Sequence, residues 1–125
     1  MKTLPCLAAT VLLAACATPY QYAQLDGRRY HVTPIDTYPV LILDVDGRSV
    51  NSNPVQVDPG RRMVRVQAPP GGAGLRETRT VALDVRACTR YYLVAVKDNR
   101  LASDFEVRVE HEEPVGGCSV KVAQR

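Results

Sequence analysis

The sequence contains no tryptophan, a single phenylalanine and only two histidines, His31 and His111. So few imidazoles exclude catalytic and metal sites that need several histidines. No apolar run approaches the ~20 residues that a membrane-spanning helix needs. Neither sign of charge dominates, because 16 basic and 13 acidic side chains leave a net charge of +3. This balance argues against a nucleic-acid-binding protein, in which clustered basic residues are expected.

Helical periodicity is absent as well, and short β-branched segments between turn residues indicate strands instead. The predicted strands cover residues 29–33, 39–46, 55–57, 63–68, 79–86, 90–97, 105–111 and 119–122. Seven or eight short strands at this spacing predict an all-β protein with a single antiparallel β-sandwich. A Greek-key or transthyretin-like arrangement is the favoured form.

Alternation along the strands predicts which side chains face the core. Residues 41–43 and 91–96 are apolar on both faces, which predicts central strands. His111 is expected to continue the inward face of the last long strand. Turns are predicted at Asp46–Gly47 and at residues 58–60. The inward set is Val64, Val66, Val81, Leu83, Val85, Phe105, Val107 and Val109.

The first residues have the pattern of an export signal. Lys2 supplies the positive charge, residues 4–13 form a short apolar stretch, and small residues follow. A buried N-terminal helix is the alternative interpretation, although Pro5 and the lack of charged flanks speak against it. The sequence therefore predicts a cleaved signal peptide over residues 1–15.

Residues 13–16, Leu-Ala-Ala-Cys, resemble the lipobox of bacterial lipoproteins. The resemblance implies cleavage before Cys16 and acylation of that cysteine, which would anchor the protein in a lipid bilayer. Ala17 follows in place of the aspartate that favours inner-membrane retention in this family. The expected location is the outer membrane, facing the periplasm, and the expected organisation is a signal peptide (1–15), a lipidated tether (16–27) and a β-sandwich domain (28–125).

The four cysteines then separate into two groups. Cys6 leaves with the signal and Cys16 carries lipid, so Cys88 and Cys118 are the two that remain in an oxidising compartment. A disulfide between them is the favoured interpretation, and two free buried thiols are the alternative. A metal site is less favoured, because no nearby histidine or third cysteine completes a tetrahedral set.

Residues 43–67 resemble a PEGA-type β domain. The resemblance rests on the strand entering an Asp46–Gly47 turn, the Asn-Pro-Val of residues 53–55, and the Val-Asp-Pro-Gly of residues 57–60 before the next strand. Such domains are small envelope β modules, often beside lipoprotein anchors. The family has no catalytic residues that could be transferred to this chain.

Three weaker patterns have simpler explanations. Acidic and amide residues at 44–53 could form a calcium loop, but the glycine and the final glutamate of such a loop are out of place. The glycine-rich residues 71–74 lead into a strand, whereas a phosphate-binding loop leads into a helix. His111 with Glu112 and Glu113 is better interpreted as the end of a strand than as a metal or acid–base cluster.

Candidate partner contacts come from exposed arginines and one tyrosine. If neighbouring strands align, Arg61, Arg62 and Arg65 could share a face that contacts an anionic polymer, although a solvated strand face is the simpler explanation. One of the adjacent residues Tyr91 and Tyr92 must face outward, and Tyr92 is the candidate for stacking. The edge strands and the loops at residues 69–74 and 98–104 are further candidates.

The expected function is a structural or protein-interaction role in the cell envelope, without catalysis, metal or cofactor. The alternatives are an inhibitor of a lysozyme-type hydrolase, a binding module for peptidoglycan or lipopolysaccharide, and an accessory lipoprotein of a secretion or assembly machine. Nucleic acid is not an expected partner.

Overall fold

The computed structural model describes residues 21–30, 35–70 and 77–118. Within these ranges the chain forms strands and no helix, which confirms the predicted all-β class. None of the described residues therefore belongs to a helix that could span a membrane. The strands are β1 (Ala23–Asp26), β2 (Thr37–Pro39), β3 (Leu41–Val45), β4 (Arg48–Ser49), β5 (Val55–Val57), β6 (Gly60–Gln67), β7 (Thr78–Val85), β8 (Thr89–Val96) and β9 (Glu106–Pro114).

The strands form two sheets. Sheet A has the order β5-β1-β8-β9, and β2 lies end to end with β1 along the same edge of β8. Sheet B has the order β4-β3-β6-β7. All pairs are antiparallel except β1 and β8, which run parallel. The predicted central positions are confirmed, because β3 and β8 each have neighbours along both edges.

The inner faces of the two sheets pack into one hydrophobic core. Its fully buried side chains include Leu25 and Leu93 from sheet A and Val64 and Val66 from sheet B. The predicted inward faces are confirmed for the side chains that are buried in this core or packed against it: Val64, Val66, Val81, Leu83, Val85, Phe105, Val107 and Val109.

Five of the predicted strands coincide with β5 to β9 to within a few residues. The predicted strand at residues 39–46 is instead the end of β2 and the whole of β3, because the chain leaves sheet A at Pro39 and enters sheet B at Leu41. Of the predicted strand at residues 29–33, Arg29 and Tyr30 are not in a strand and the rest lies outside the described residues. The predicted strand at residues 119–122 also lies outside them.

The domain begins before residue 28, where the sequence analysis placed its start. β1 lies inside the range predicted as a tether, yet all four of its residues are buried. The sequence signal for β1 is a short alternation of apolar and polar residues. Ala23 and Leu25 lie in the core, and Gln24 and Asp26 lie on the outer face. Residues 23–26 therefore belong to the folded domain.

Gly27, directly after β1, lies against Val40, where the chain crosses from sheet A to sheet B. The backbone N–H of Val40 donates to the carbonyl oxygen of Gly27 at 2.8 Å. A β-carbon at Gly27 would overlap the carbonyl oxygen of Val40. The close approach of these two backbone segments thus requires glycine.

The predicted two-residue turn is present between β3 and β4. Asp46 and Gly47 both have positive φ, 51° and 80°. This is the backbone of the turn that best matches the twist of a β-hairpin.

Cys88 and Cys118 form the predicted disulfide, with 5.3 Å between their Cα atoms. The N–H of Cys88 donates to the carbonyl oxygen of Tyr22 at 2.7 Å, and its own carbonyl accepts from the N–H of Val115 at 2.9 Å. The start of the described chain, the β7–β8 turn and the segment after β9 thus meet at one end of the sandwich. We call this the disulfide end (Tyr22, Cys88, Val115 and Cys118).

Candidate interaction surface

The outer strands β7 and β9 lie on the same side of the sandwich, one from each sheet. β7 pairs with β6 over all eight of its residues without a bulge. Among the described residues no strand pairs with its other edge. The N–H of Ala68 donates to the carbonyl of Glu77 in the same register, so the odd-numbered residues of β7 bond to β6. The backbone groups of Thr78, Thr80, Ala82 and Asp84 therefore face the free edge.

A strip of core-facing side chains lies between the two strands. Val81 and Leu83 of β7 and Val107 and Val109 of β9 pack against the core but are only partly buried. They make up most of the partly buried hydrophobic residues that pack against the core in the described ranges. We call this strip the β7–β9 seam (Val81, Leu83, Val107 and Val109).

Ion pairs between the sheets close both ends of the seam. Arg79 at the start of β7 pairs with Asp104 in the loop before β9. Arg86, just after β7, pairs with Glu112 of β9, with 2.5 Å between Nη2 and Oε2. The two pairs flank the apolar strip with polar groups, an arrangement that is typical of interaction surfaces.

The other four outer strands of the described sheets, β2, β4, β5 and β9, have features that discourage further pairing. β2 has three residues and ends at Pro39. β4 has two residues, and β5 has three and lies between Pro54 and Pro59. β9 is longer but contains a bulge, several charged side chains and Pro114. β7 has no proline, no lysine and no bulge. Its charged side chains are Arg79 and Asp84. Because natural proteins usually protect their sheet edges, this long and regular edge, the least protected of the five, is the strongest candidate for a partner contact.

The described parts of the two loops predicted to make contacts, residues 69–70 and 98–104, lie at the end opposite the disulfide. The Nζ of Lys97 donates to the carbonyl oxygen of Pro69 at 2.8 Å, which joins the 69–70 segment to the end of β8. Leu101 in the second loop is 67% exposed, and Ile35 beside the start of β2 is 89% exposed. The remainder of the first loop, residues 71–74, lies outside the described residues.

The arginines named as candidate contacts do not form one basic face. Arg61 and Arg65 lie on the outer face of sheet B, where Arg65 pairs with Asp44 at 2.5 Å and Arg61 pairs more loosely with Asp84 at 3.8 Å. A cross-strand carboxylate thus lies beside each of the two side chains. Arg61 is the more available of the two, with its side chain 70% exposed.

Arg62 points to the opposite face of β6 and fastens two turns together. Its guanidinium donates to the carboxylate of Asp46 and to the carbonyl oxygens of Asp58 and Pro59, each at 2.9 Å. These bonds join the β3–β4 turn to the β5–β6 turn. The contacts give Arg62 a structural role at this position.

Tyr92 lies on the outer face of sheet A, as expected for one of two adjacent tyrosines, but only 8% of it is exposed. Its hydroxyl donates to Glu113 at 2.6 Å, and the ring of Tyr30 packs against its ring with 5.1 Å between centroids. Burial and then the bond to Glu113 raise the pKa of Tyr92. The covered ring offers no free face for stacking on a sugar.

His111 does not continue the inward face of β9, which corrects the sequence prediction. A bulge places Val109 opposite Leu93 and His111 opposite Tyr92, so Glu110 is the extra residue. The shift moves His111 to the outer face of sheet A, where its ring stacks on Tyr30 with 3.7 Å between centroids. Alternation alone could not reveal the bulge, because it inverts the pattern from Glu110 onward.

A buried carboxylate organises the same outer face. Asp26 has no exposed surface and accepts hydrogen bonds from the backbone and guanidinium of Arg28 and from the amide of Asn53. Burial raises the pKa of Asp26, but these hydrogen bonds outweigh burial, so the pKa lies below its usual range. The network fixes the segment that leaves β1.

A cavity of about 460 Å³ lies on the other side of the sandwich, between the β3–β4 hairpin and β5. Valines from both sheets line it, and Asp46, Arg48, Asp58 and Arg62 surround them. In the described ranges no three His, Cys, Asp or Glu side chains are grouped so that they could hold a metal ion. Asp44 and Asp46, from the pattern that the sequence analysis judged unsuitable for a calcium loop, pair with arginines.

The position of β7 at an edge, which defines the candidate surface, had no signal in the sequence. The strand and its inward face follow from local alternation, whereas its place in the sheet depends on pairings between distant segments. In comparisons with known proteins, no protein-family model matches the chain, and no curated protein or solved structure shows significant similarity to it.

Proposed function

We propose that the protein is a lipid-anchored lipoprotein of the cell envelope, and that its β-sandwich is a protein-interaction module without catalytic activity. The free edge of β7 is the observation that carries this proposal. All eight residues of β7 pair regularly with β6, and in the part of the chain that the structure describes no strand pairs with the other edge of β7, which lies beside the β7–β9 seam. Strand addition at such an edge is a common form of protein recognition.

The lipid anchor is proposed at Cys16, on the resemblance of residues 13–16 to a lipobox. The described chain enters at the disulfide end, where Tyr22 contacts Cys88. Residues 17–22 span at most about 20 Å. The proposed anchor therefore keeps the disulfide end close to the bilayer, in the periplasmic leaflet of the outer membrane.

The same proposal includes a PEGA-like or transthyretin-like domain. The turns at Asp46–Gly47 and residues 58–60, which carry the resemblance, both join strands. For the alternatives, a hydrolase inhibitor or a module for an anionic polymer, no comparable feature is found among the described residues. The paired arginines favour a protein partner over a polyanion.

Labelling with a palmitate analogue tests the anchor. We expect label on the wild-type protein and none on Cys16→Ser, because the thiol at the cleavage site is the acceptor. Ala17→Ser is the matched control, since it changes a neighbour and keeps the thiol. Equal labelling of wild type and Cys16→Ser would refute the anchor.

Site-specific photo-crosslinking in intact cells tests the interaction surface. A photo-reactive residue at Thr80, on the free edge of β7, should give a discrete protein adduct. The same residue at Ser52 is the control, because Ser52 is also exposed but lies next to β5 on the other side of the sandwich. Absence of any adduct from Thr80, or identical adducts from both positions, would contradict the proposed surface.

A further inference from the structure

The partner of the β7 edge follows from the pattern of β7 itself. We propose that the free edge of β7 pairs antiparallel with β7 of a second copy of this chain, around a two-fold axis that lies midway between the two Ala82 residues. This inference rests on the proposed interaction function and names its partner. The resulting dimer would join the two B sheets into one continuous sheet.

The backbone groups at the edge suit this pairing. A two-fold axis perpendicular to the sheet keeps the inward faces of both copies on the same side, so residues of equal parity pair. Ala82 then pairs with Ala82 of the second copy, and Thr80 pairs with Asp84 of the second copy. These even-numbered residues are the ones whose N–H and C=O groups do not bond to β6.

The side chains of the seam are complementary in this register. Val81 lies opposite Leu83 of the second copy, and the symmetry repeats this contact on the other side of the axis. Both residues are core-facing but only partly buried in a single copy. The pairing would bury Val81 and Leu83 further and bring the edges of the two hydrophobic cores into contact.

The charges of β7 also permit self-pairing. Arg79 comes to lie opposite Val85 of the second copy and Asp84 opposite Thr80, so no like charges face each other. A shift by two residues would place Arg79 opposite Leu83 and lose the Val81–Leu83 contact. The other long edge is unsuitable, because Glu106, Glu110 and Glu112 would bring carboxylates together.

A cysteine on the proposed axis gives a direct test in the full-length lipidated protein in its membrane. The Cα atoms of a hydrogen-bonded antiparallel pair are about 5.5 Å apart, within the range that a disulfide spans. Under mild oxidation, Ala82→Cys should therefore form a covalent dimer on a non-reducing gel. The native cysteines do not interfere, because Cys88 and Cys118 are already bonded to each other, and in the proposed lipoprotein Cys6 is cleaved off and the thiol of Cys16 is acylated.

Two single variants are matched controls. Met63→Cys lies beside Ala82 on the outer face of sheet B but one strand further in. Thr80→Cys lies on the edge but faces Asp84 of the second copy instead of itself. We expect at least about tenfold more dimer from Ala82→Cys than from either control. Adding Thr80→Pro to Ala82→Cys should remove the dimer, because proline takes away an edge donor that β6 does not use.

Each outcome decides the inference. Comparable bands from all three cysteines, or none from Ala82→Cys, would overturn the two-fold pairing. An adduct from a photo-reactive residue at Thr80 with a different protein would then leave the interaction function standing and assign the edge to that protein. Absence of both the disulfide and the adduct would refute both proposals.

Discussion

Gly27 lacks a side chain, and this lets its backbone contact the backbone of Val40 at the point where the chain crosses between the sheets. The backbone of Val40 passes so close that a β-carbon at Gly27 would overlap its carbonyl oxygen. We expect Gly27→Ala to lower the free energy of unfolding by about 1–3 kcal/mol, the usual cost of overpacking. Urea unfolding followed by circular dichroism measures the change.

Gly116→Ala is the control for this substitution. A β-carbon at Gly116 would meet no atom within 4 Å, and its backbone is not in the left-handed region. Its effect should stay within about 0.5 kcal/mol. Equal losses at Gly27 and Gly116 would show that the crossing has more room than the structure indicates.

Asp26 makes the stability of the domain dependent on pH. Its pKa in the folded state is lowered, so the stabilisation is present above the pKa of the unfolded chain and is lost as the pH falls through the lower, folded pKa. Asp26→Asn should cost about 1–3 kcal/mol at neutral pH, because hydrogen bonds to a charged acceptor are lost. The difference from wild type should shrink in acid.

Unfolding midpoints measured from pH 7 down to pH 2 would show this convergence. Asp98→Asn is the control, since Asp98 is exposed in the loop after β8. We expect its curve to run parallel to that of the wild type. A loss for Asp26→Asn that does not change with pH would mean that packing, and not charge, explains the effect.

At the scale of the elements, the disulfide joins the β7–β8 turn to the segment after β9. Replacing Cys88 and Cys118 together with serine should lower the free energy of unfolding by about 3–4 kcal/mol, because the unfolded chain gains freedom. Chemical reduction of the wild type should reproduce the loss. An unchanged unfolding midpoint in both experiments would contradict this expectation.

Local sequence patterns predicted most of the strands, but not the sheet to which each strand belongs or its position in that sheet. β5 to β9 followed from alternation and turn residues, because both signals lie within the segment itself. The division of residues 39–46 between two sheets did not, since it depends on the contact of Val40 with the distant Gly27. The predicted inward orientation of His111 was wrong for a similar reason. The bulge adds one residue at Glu110, and the side chains after it therefore point to the opposite face from the one that simple alternation predicts.

On the scale of the whole molecule, β8 is the strand on which sheet A is built. It pairs with β9 along one edge and with β1 and β2 along the other, and most of its residues are buried. We expect its backbone amides to exchange most slowly with deuterium, while those of the exposed β4 exchange fastest. Hydrogen exchange by mass spectrometry checks this order, and equal rates in the two strands would refute it.

The entry of the chain at the disulfide end has a consequence for attachment. Antiparallel pairing through β7 places the two entry points at opposite ends of the proposed dimer. If each copy carries the proposed anchor at Cys16, both anchors can reach one bilayer only when the long axis of the dimer lies along the membrane surface. Such a dimer would be held bivalently, so release would require both lipid groups to leave at once, and its residence on the membrane would far exceed that of a single copy.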